Sequence, residues 1–243
     1  MTVRLADLTT EEARAAIASP PTAVLVPVGS VEPHGPHLPL ATDTIIGETA
    51  AARACPVLAQ RGIKAFVAPS VAYGVTDFAA GFAGAVSISP STVTAYLQSI
   101  ALSLLAGGWS HVCFVSNHLE PAHDEAVRVA AKTTRASMAS PLTRRWARTL
   151  SDEFKRGDCH AGRYETSLVL AAGGPVKDEH RSLPAVGVSL SEAIRSGKGR
   201  FRDIGMDRAY TGAPADATRE EGDDLYARLV EMIVTEVTEA LRG

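Results

Sequence analysis

Three observations predict a single α/β domain built on a mainly parallel sheet. Short apolar runs at 23–28, 64–71 and 111–116 have the length and residue types of buried strands. Segments of helical periodicity lie between them, the pattern of strands joined by helical crossovers. The 243 residues, 46% of them hydrophobic, show no internal repeat and no low-complexity linker, so one domain over 1–243 accommodates the chain.

In order along the chain, Thr9-x-x-Glu12 forms a capping box for a helix over 11–18, which Pro20-Pro21 ends. The first strand follows. A loop with Glu32, His34, His37 and Asp43 comes next, then an Ala-rich helix from Thr44 to Gln60 that Pro56 should kink or split and Gly62 should close. The second strand runs 64–71. An irregular, glycine-bearing stretch occupies 72–85, long enough to suggest a functional loop. A short strand is expected at 86–89, then a helix capped by Ser89 or Ser91 that stops at Gly107-Gly108.

The third strand, 111–116, ends at Asn117-His118-Leu119-Glu120, and Pro121 starts a helix to about Arg135. A strand at 138–142 and a helix at 142–155 carrying Trp146 come next. A loop at 157–163 holds Cys159 and His160, a helix covers 164–171, and 185–190 reads as a strand. After a loop at 201–218, Thr218 caps a long amphipathic helix with Leu225, Leu229, Ile233 and Val237 at four-residue steps.

Composition excludes several function classes. A net charge of −3 gives no electrostatic case for nucleic acid or an anionic membrane. No apolar run approaches the ~18 residues of a membrane span, and Met1–Asp7 lacks a signal-peptide core. Three scattered cysteines, Cys55, Cys113 and Cys159, argue against a disulfide framework. A soluble cytoplasmic protein is expected, with neither nucleic acid nor membrane as partner.

The loop after the first strand has the residue types of a metal site. Carboxylate and neutral imidazole suit Zn²⁺ or Mn²⁺ without a thiolate. Glu32 and His34, two apart, point to one side of an extended backbone. Pro33, Pro36 and Pro39 stiffen the loop. His118 and Glu120 repeat the spacing at the next strand tip. Glu32, His34, Asp43, His118 and Glu120 make five donors, one more than a tetrahedral ion needs, so two ions with a bridging carboxylate fit. In a third cluster, His160 suits general acid or base chemistry, and Glu165 is either a helix-terminal charge or a ligand. His37 reads as an orienting partner behind the ligands. His111 and His180 read as surface residues, and His123, one turn past Glu120, as a residue that can line the site. Cys159 beside His160 raises a cysteine-nucleophile reading that adjacency in sequence disfavours.

Glu32-Pro-His34-Gly35-Pro-His37-Leu38-Pro39-Leu-Ala-Thr-Asp43 closely resembles the signature of the creatininase (creatinine amidohydrolase) family, E-x-H-G-x-H-L-P-x-x-x-D, at all seven fixed positions. Asn117-His118, His160-Ala-Gly-x-x-Glu165-Thr-Ser and Pro214-x-x-Ala217-Thr218 extend the resemblance over nearly the whole chain. It implies a three-layer α/β/α sandwich, often hexameric, that hydrolyses amide C–N bonds with two divalent metals: Zn²⁺ and/or Mn²⁺, with Fe²⁺ a further candidate. By the same resemblance Glu32 and His118 hold one metal, His34 the other, and Asp43 bridges them. Glu120 or Glu165 completes the second site, and His160 serves the leaving nitrogen. Thr76 stands at a substrate-facing serine position, Leu119 replaces an aromatic residue flanking the substrate, and Arg163 stands where an acidic residue is common. The loop 73–85 lacks the family's Glu-His pair, so creatinine is not the expected substrate.

The expected activity is therefore attack of a metal-bound hydroxide on a small amide, cyclic or open, with Glu120 and His160 moving the proton and Arg163 pairing an anionic group. The alternatives are a peptidase or deformylase of the same family acting on a modified peptide or a formamide, and a non-catalytic metal-binding protein.

Overall fold

The computed structural model describes residues 4–243; Met1–Val3, where the segment without a signal-peptide core begins, lie outside the described residues. Helix α1 (Thr10–Ile17) opens with the expected capping box: the Thr9 hydroxyl accepts the Glu12 N–H, and the Glu12 carboxylate accepts the Thr9 N–H at 2.7 Å. Strand β1 (Thr22–Val28) is buried throughout. Helix α2 (Thr42–Gln60) begins before Thr44, so Asp43 lies in its first turn rather than on the loop ahead. The helix also runs unbroken through Pro56. Pro56 and Ala52, whose carbonyl loses its donor to the proline, both face solvent, where water can replace the missing bond. Gly62, at φ +76°, turns the chain into β2 (Lys64–Val67). That strand is shorter than its apolar run because Pro69 has no N–H for the ladder; Val71 meets Val28 only in an isolated bridge.

Ser89 caps α3 (Pro90–Ala106). The segment 86–89 is not a strand: the Val86 and Ile88 N–H groups donate to Val31 and Gly74, on separate loops, instead of forming a ladder. Strand β3 (His111–Ser116) and helix α4 (Pro121–Thr134) fall where the sequence puts them, and β4 is Ser137–Ala139. The helix expected over 142–155 is two short pieces, α5 (Arg144–Ala147) and α6 (Asp152–Arg156). Ser151 accepts the Phe154 N–H and so starts a new helix instead of continuing the old one. Helix α7 spans Arg163–Ala172. Nor is 185–190 a strand: the Thr211 hydroxyl takes up backbone groups of Val186 and Val188, one bridge joins Val186 to Gly212, and α8 (Leu190–Arg195) follows. Thr218 caps α9 (Arg219–Ala240) as expected.

The four strands pair in parallel in the order β2-β1-β3-β4. Alternate residues face opposite ways. Ala23, Leu25, Cys113 and Val115 pack under α2, α7 and α9, whereas Val24, Val26, Val112 and Phe114 pack under α3 and α4. This is a three-layer α/β/α sandwich, and Leu225, Leu229, Ile233 and Val237 are the buried stripe of its longest described helix. Register places Val28 beside Ser116, so the loops leaving β1 and β3 emerge side by side at the carboxyl edge. Two histidines depart from their surface reading. His111 is covered by β4 and bonds the Ser137 hydroxyl at 2.8 Å, and His180 is buried beside His37 and donates to the Lys177 carbonyl. Among the described residues no helix is long and apolar enough to cross a membrane.

Helices α7 and α9 touch at Gly222, where a β-carbon would overlap the Ser167 carbonyl oxygen. Alanine gains about 1 kcal/mol of helix propensity over glycine, but overpacking costs typically 1–3 kcal/mol or more, and the backbone atom opposite cannot rotate away. Gly222→Ala is expected to lower Tm by roughly 2–8 °C; a raised Tm in thermal unfolding would contradict this packing.

Candidate metal centre

Each metal-type side chain is aimed by a backbone contact. The His34 Nδ1–H donates to the Glu32 carbonyl at 3.1 Å, which leaves Nε2 facing inward. The His118 Nε2–H donates to the Val75 carbonyl at 2.6 Å, which leaves Nδ1 facing inward. Asp43 stands between them: Oδ1 is 3.2 Å from His34 Nε2 and Oδ2 is 3.1 Å from His118 Nδ1. Glu32 Oε1 lies 3.2 Å from His118 Nδ1, while its Oε2 accepts the Thr76 hydroxyl. Glu165, in the first turn of α7, brings Oε2 to 3.6 Å from His34 Nε2 and takes the Ala161 N–H at 2.6 Å.

The donors fall into two groups of cation-binding size that share Asp43: Glu32, Asp43 and His118, and His34, Asp43 and Glu165. A third group of that size is Glu32, His34 and His160. The residues fit divalent ions on a further ground. Both Asp43 oxygens and His34 Nε2 are buried with no hydrogen-bond partner, a costly arrangement unless a ligand completes it. The electrostatics agree. Burial disfavours the His34 imidazolium, yet Asp43 and Glu165 outweigh it and raise this group to about 10. Against the same burial, Glu32 and Asp43 hold His118 well above the usual imidazole range. Burial works to raise Glu32, but His118 brings it down to about 2. Glu165 is pushed up to about 8 by burial. The carboxylates thus recruit protons onto imidazoles that a cation would displace.

Glu120 belongs to neither group. Its carboxylate accepts the Asp77 and Phe78 N–H groups, each at 3.1 Å, and burial pushes it up to about 7. His160 donates Nε2–H to the Pro33 carbonyl at 3.0 Å and holds Nδ1 at 3.9 Å from Glu32; burial and then the charge of His34 bring it down to about 4. His37 bonds the Thr166 hydroxyl at 2.9 Å, behind Glu165.

Glu32, His118, Glu120 and His160 form the floor of a cavity of about 380 Å³. Its walls are apolar: Leu119, Phe154, Phe78, Leu190 and Phe201, whose ring centroid is 4.5 Å from that of His160. Leu142 and Ile194, each 37% exposed, also line it, as do Arg148 and Lys155. Leu119 therefore faces the cavity. Two other residues expected at the substrate do not line it: Thr76 is buried behind Glu32, and Arg163 is held by Glu221 at 2.6 Å. Cys159 reaches the cavity, but burial and then Glu165 push its thiol well above the ordinary range, against a thiolate nucleophile. His123 packs edge-on against His118 at 4.7 Å and accepts the Val75 N–H. Val75 and Phe201 went unnoticed in the sequence; the first acts through its backbone, and no motif marks the second.

The profile of the family described as Creatininase: Creatinine amidohydrolase matches residues 6–237. The mycofactocin precursor peptide peptidase of Mycolicibacterium smegmatis is 36% identical over 218 residues, covering 85% of this chain and 81% of that protein. The peptidase of the same name from Mycobacterium ulcerans is 32% identical over 223 residues, covering 88% and 84%. Among solved structures, a manganese form of creatininase superposes with a TM-score of 0.74 at 20% identity, and a creatininase variant of Zn-Zn type with 0.73 at 20%; each match covers 100% of both chains. At such identities the structures establish a shared fold.

The two donor groups predict distinct metal contents. Elemental analysis of protein purified without added metal should give about two equivalents for wild type and Glu120→Gln, and about one for Glu165→Gln. Loss of metal from Glu120→Gln with full retention by Glu165→Gln would reverse the assignment.

Proposed function

We propose, from the premise that this chain belongs to the creatininase family, that it is a metal-dependent hydrolase of an amide C–N bond in a short or modified peptide. The observation that carries this reading is the shared-Asp43 donor set at the floor of an apolar, solvent-open cavity. The peptidases that match it at 32% and 36% identity support a peptide substrate. A small amide, cyclic or open, as the sequence led us to expect, would leave most of about 380 Å³ unfilled.

Glu32, Asp43 and His118 would hold one divalent ion, and His34, Asp43 and Glu165 a second; Zn²⁺ and Mn²⁺, named for the two creatininase structures, suit these donors. Ions bound there would make water acidic enough to ionise near neutral pH and would polarise the scissile carbonyl. The chain's own groups supply the rest. Thr76 occupies Glu32 Oε2 and so turns Oε1 toward the donor set. Glu120, held by two backbone N–H groups and raised to about 7 by burial, can take a proton on its carboxylate at neutral pH and release it again. His160 Nδ1 is turned toward Glu32 while Nε2–H is anchored on the Pro33 carbonyl. Burial lowers this imidazole, so once protonated at Nδ1 it gives that proton readily to the departing nitrogen. The apolar walls bind side chains flanking the scissile bond and exclude water from it.

A panel of end-blocked peptides with apolar or aromatic flanking residues, run beside cyclic amides and read by mass spectrometry, tests this. Peptide cleavage is expected, abolished by a chelator and restored by Zn²⁺ or Mn²⁺. Cleavage of cyclic amides alone would return the substrate to the small-amide class. No cleavage by the metal-loaded protein would favour the non-catalytic reading.

Two variants divide the roles. His160→Ala should lose about 10²–10⁴ in kcat while keeping its metal, and Cys159→Ser should stay within about threefold of wild type. A dead Cys159→Ser would point to a cysteine nucleophile.

A further inference from the structure

The segment that carries His160 and leads into Glu165 on α7 runs from Gly157, at φ +81°, through Ala161, held at φ +50°, an uncommon conformation for a residue with a β-carbon. A buried carboxylate outside the metal centre lies against this segment. Glu153, on α6, is 5% exposed, and no Lys, Arg or His among the described residues lies within ion-pair distance of it. Instead, Oε1 accepts the Tyr164 N–H and Oε2 accepts the Ala213 N–H, each at 2.8 Å. Glycine makes room on both sides. A β-carbon at Gly162 would come within 2.6 Å of Glu153 Oε1, and one at Gly212, whose φ is +96°, would overlap Oε2.

Three segments meet at this carboxylate, and each leads to the site. Tyr164 precedes Glu165 in the first turn of α7, where the helix dipole also favours a negative charge. In the second segment, Thr211 donates its N–H to the His160 carbonyl at 2.9 Å, two residues before Ala213. The third is α6 itself, whose Phe154 and Lys155 line the cavity. A buried charge without a counter-ion costs folding free energy unless backbone donors compensate it. Here one compensating donor belongs to α7, which carries Glu165, and the other to the segment whose Thr211 N–H bonds the His160 carbonyl.

We propose that Glu153 is a positioning residue: its carboxylate pins the start of α7 and the segment Thr211–Ala213 to α6, and so fixes His160 and Glu165 at the cavity floor. The proposal rests on the roles given above to those two residues. Glutamine at 153 would keep the size, but it would place an N–H₂ donor against one of two N–H donors. Aspartate would keep both acceptors on a shorter arm.

The test compares wild type, E153Q and E153D by thermal unfolding, by Co²⁺ titration followed in the visible spectrum, and by steady-state kinetics on a peptide the wild type cleaves. For E153Q one of two Co²⁺ ions should bind at least about tenfold more weakly with a changed spectrum, and kcat should fall about thirtyfold with KM within about threefold. E153D should lie between E153Q and wild type. A lower Tm with Co²⁺ affinity, spectrum and kcat all within about twofold of wild type would reduce Glu153 to a structural residue and overturn the proposal. Should E153Q fail to fold, E153D decides by the same criteria. Should wild type bind two Co²⁺ but cleave no peptide, the functional reading fails, and the Co²⁺ titration alone decides the role of Glu153.

Discussion

The structure depends on one electrostatic constraint: three carboxylates, Glu32, Asp43 and Glu165, buried together around two imidazoles. In a low-dielectric interior, like charges at such distances are tolerated only with compensating positive charge. Asp43 concentrates the problem, with its two oxygens turned to two different histidines and neither satisfied by a hydrogen-bond donor. Divalent cations bound there would resolve it. The same acidity that makes the centre unfavourable when bare makes it selective for hard, positively charged ligands with oxygen and nitrogen preferences.

The fold supplies this cluster by bringing together ends of elements. Parallel pairing sets Val28 beside Ser116, so the loops with Glu32, His34 and His118 leave the sheet at one edge. The first turns of α2 and α7 then deliver Asp43 and Glu165 to the same point. The Val75 backbone fixes the opposite sides of His118 and His123, and the first turn of α7 fixes His37 through Thr166. Metal-type side chains on rigid ends with irregular segments arranged around them give a defined floor beneath the cavity.

Much of the site was legible in the sequence because its donors sit in short, proline-stiffened motifs at strand tips. Glu32, His34, Asp43 and His118 stand out by residue type and spacing, and the structure brings them within a few ångströms of one another. The choice between Glu120 and Glu165 was not legible, because it depends on how α7 approaches across the β1 loop rather than on local spacing. Thr76 and Arg163 show the same limit: one is absorbed by Glu32 and the other by Glu221, partners 44 and 58 residues away. In the fold, the parallel sheet and the long helices follow from apolar periodicity. The strands expected at 86–89 and 185–190 do not form, because loop carbonyls and the Thr211 hydroxyl take their hydrogen bonds. Alternation in sequence signals a strand only where a partner strand is present.

The central claim is that Asp43 joins two cation sites into one centre. Electron paramagnetic resonance of the protein loaded with two equivalents of Mn²⁺ tests it most directly, since ions sharing a carboxylate couple magnetically and separate ions do not. The account predicts the spectrum of a coupled pair at two equivalents, collapsing to that of isolated ions in Asp43→Asn. Two equivalents bound by wild type with only the isolated-ion spectrum would contradict it.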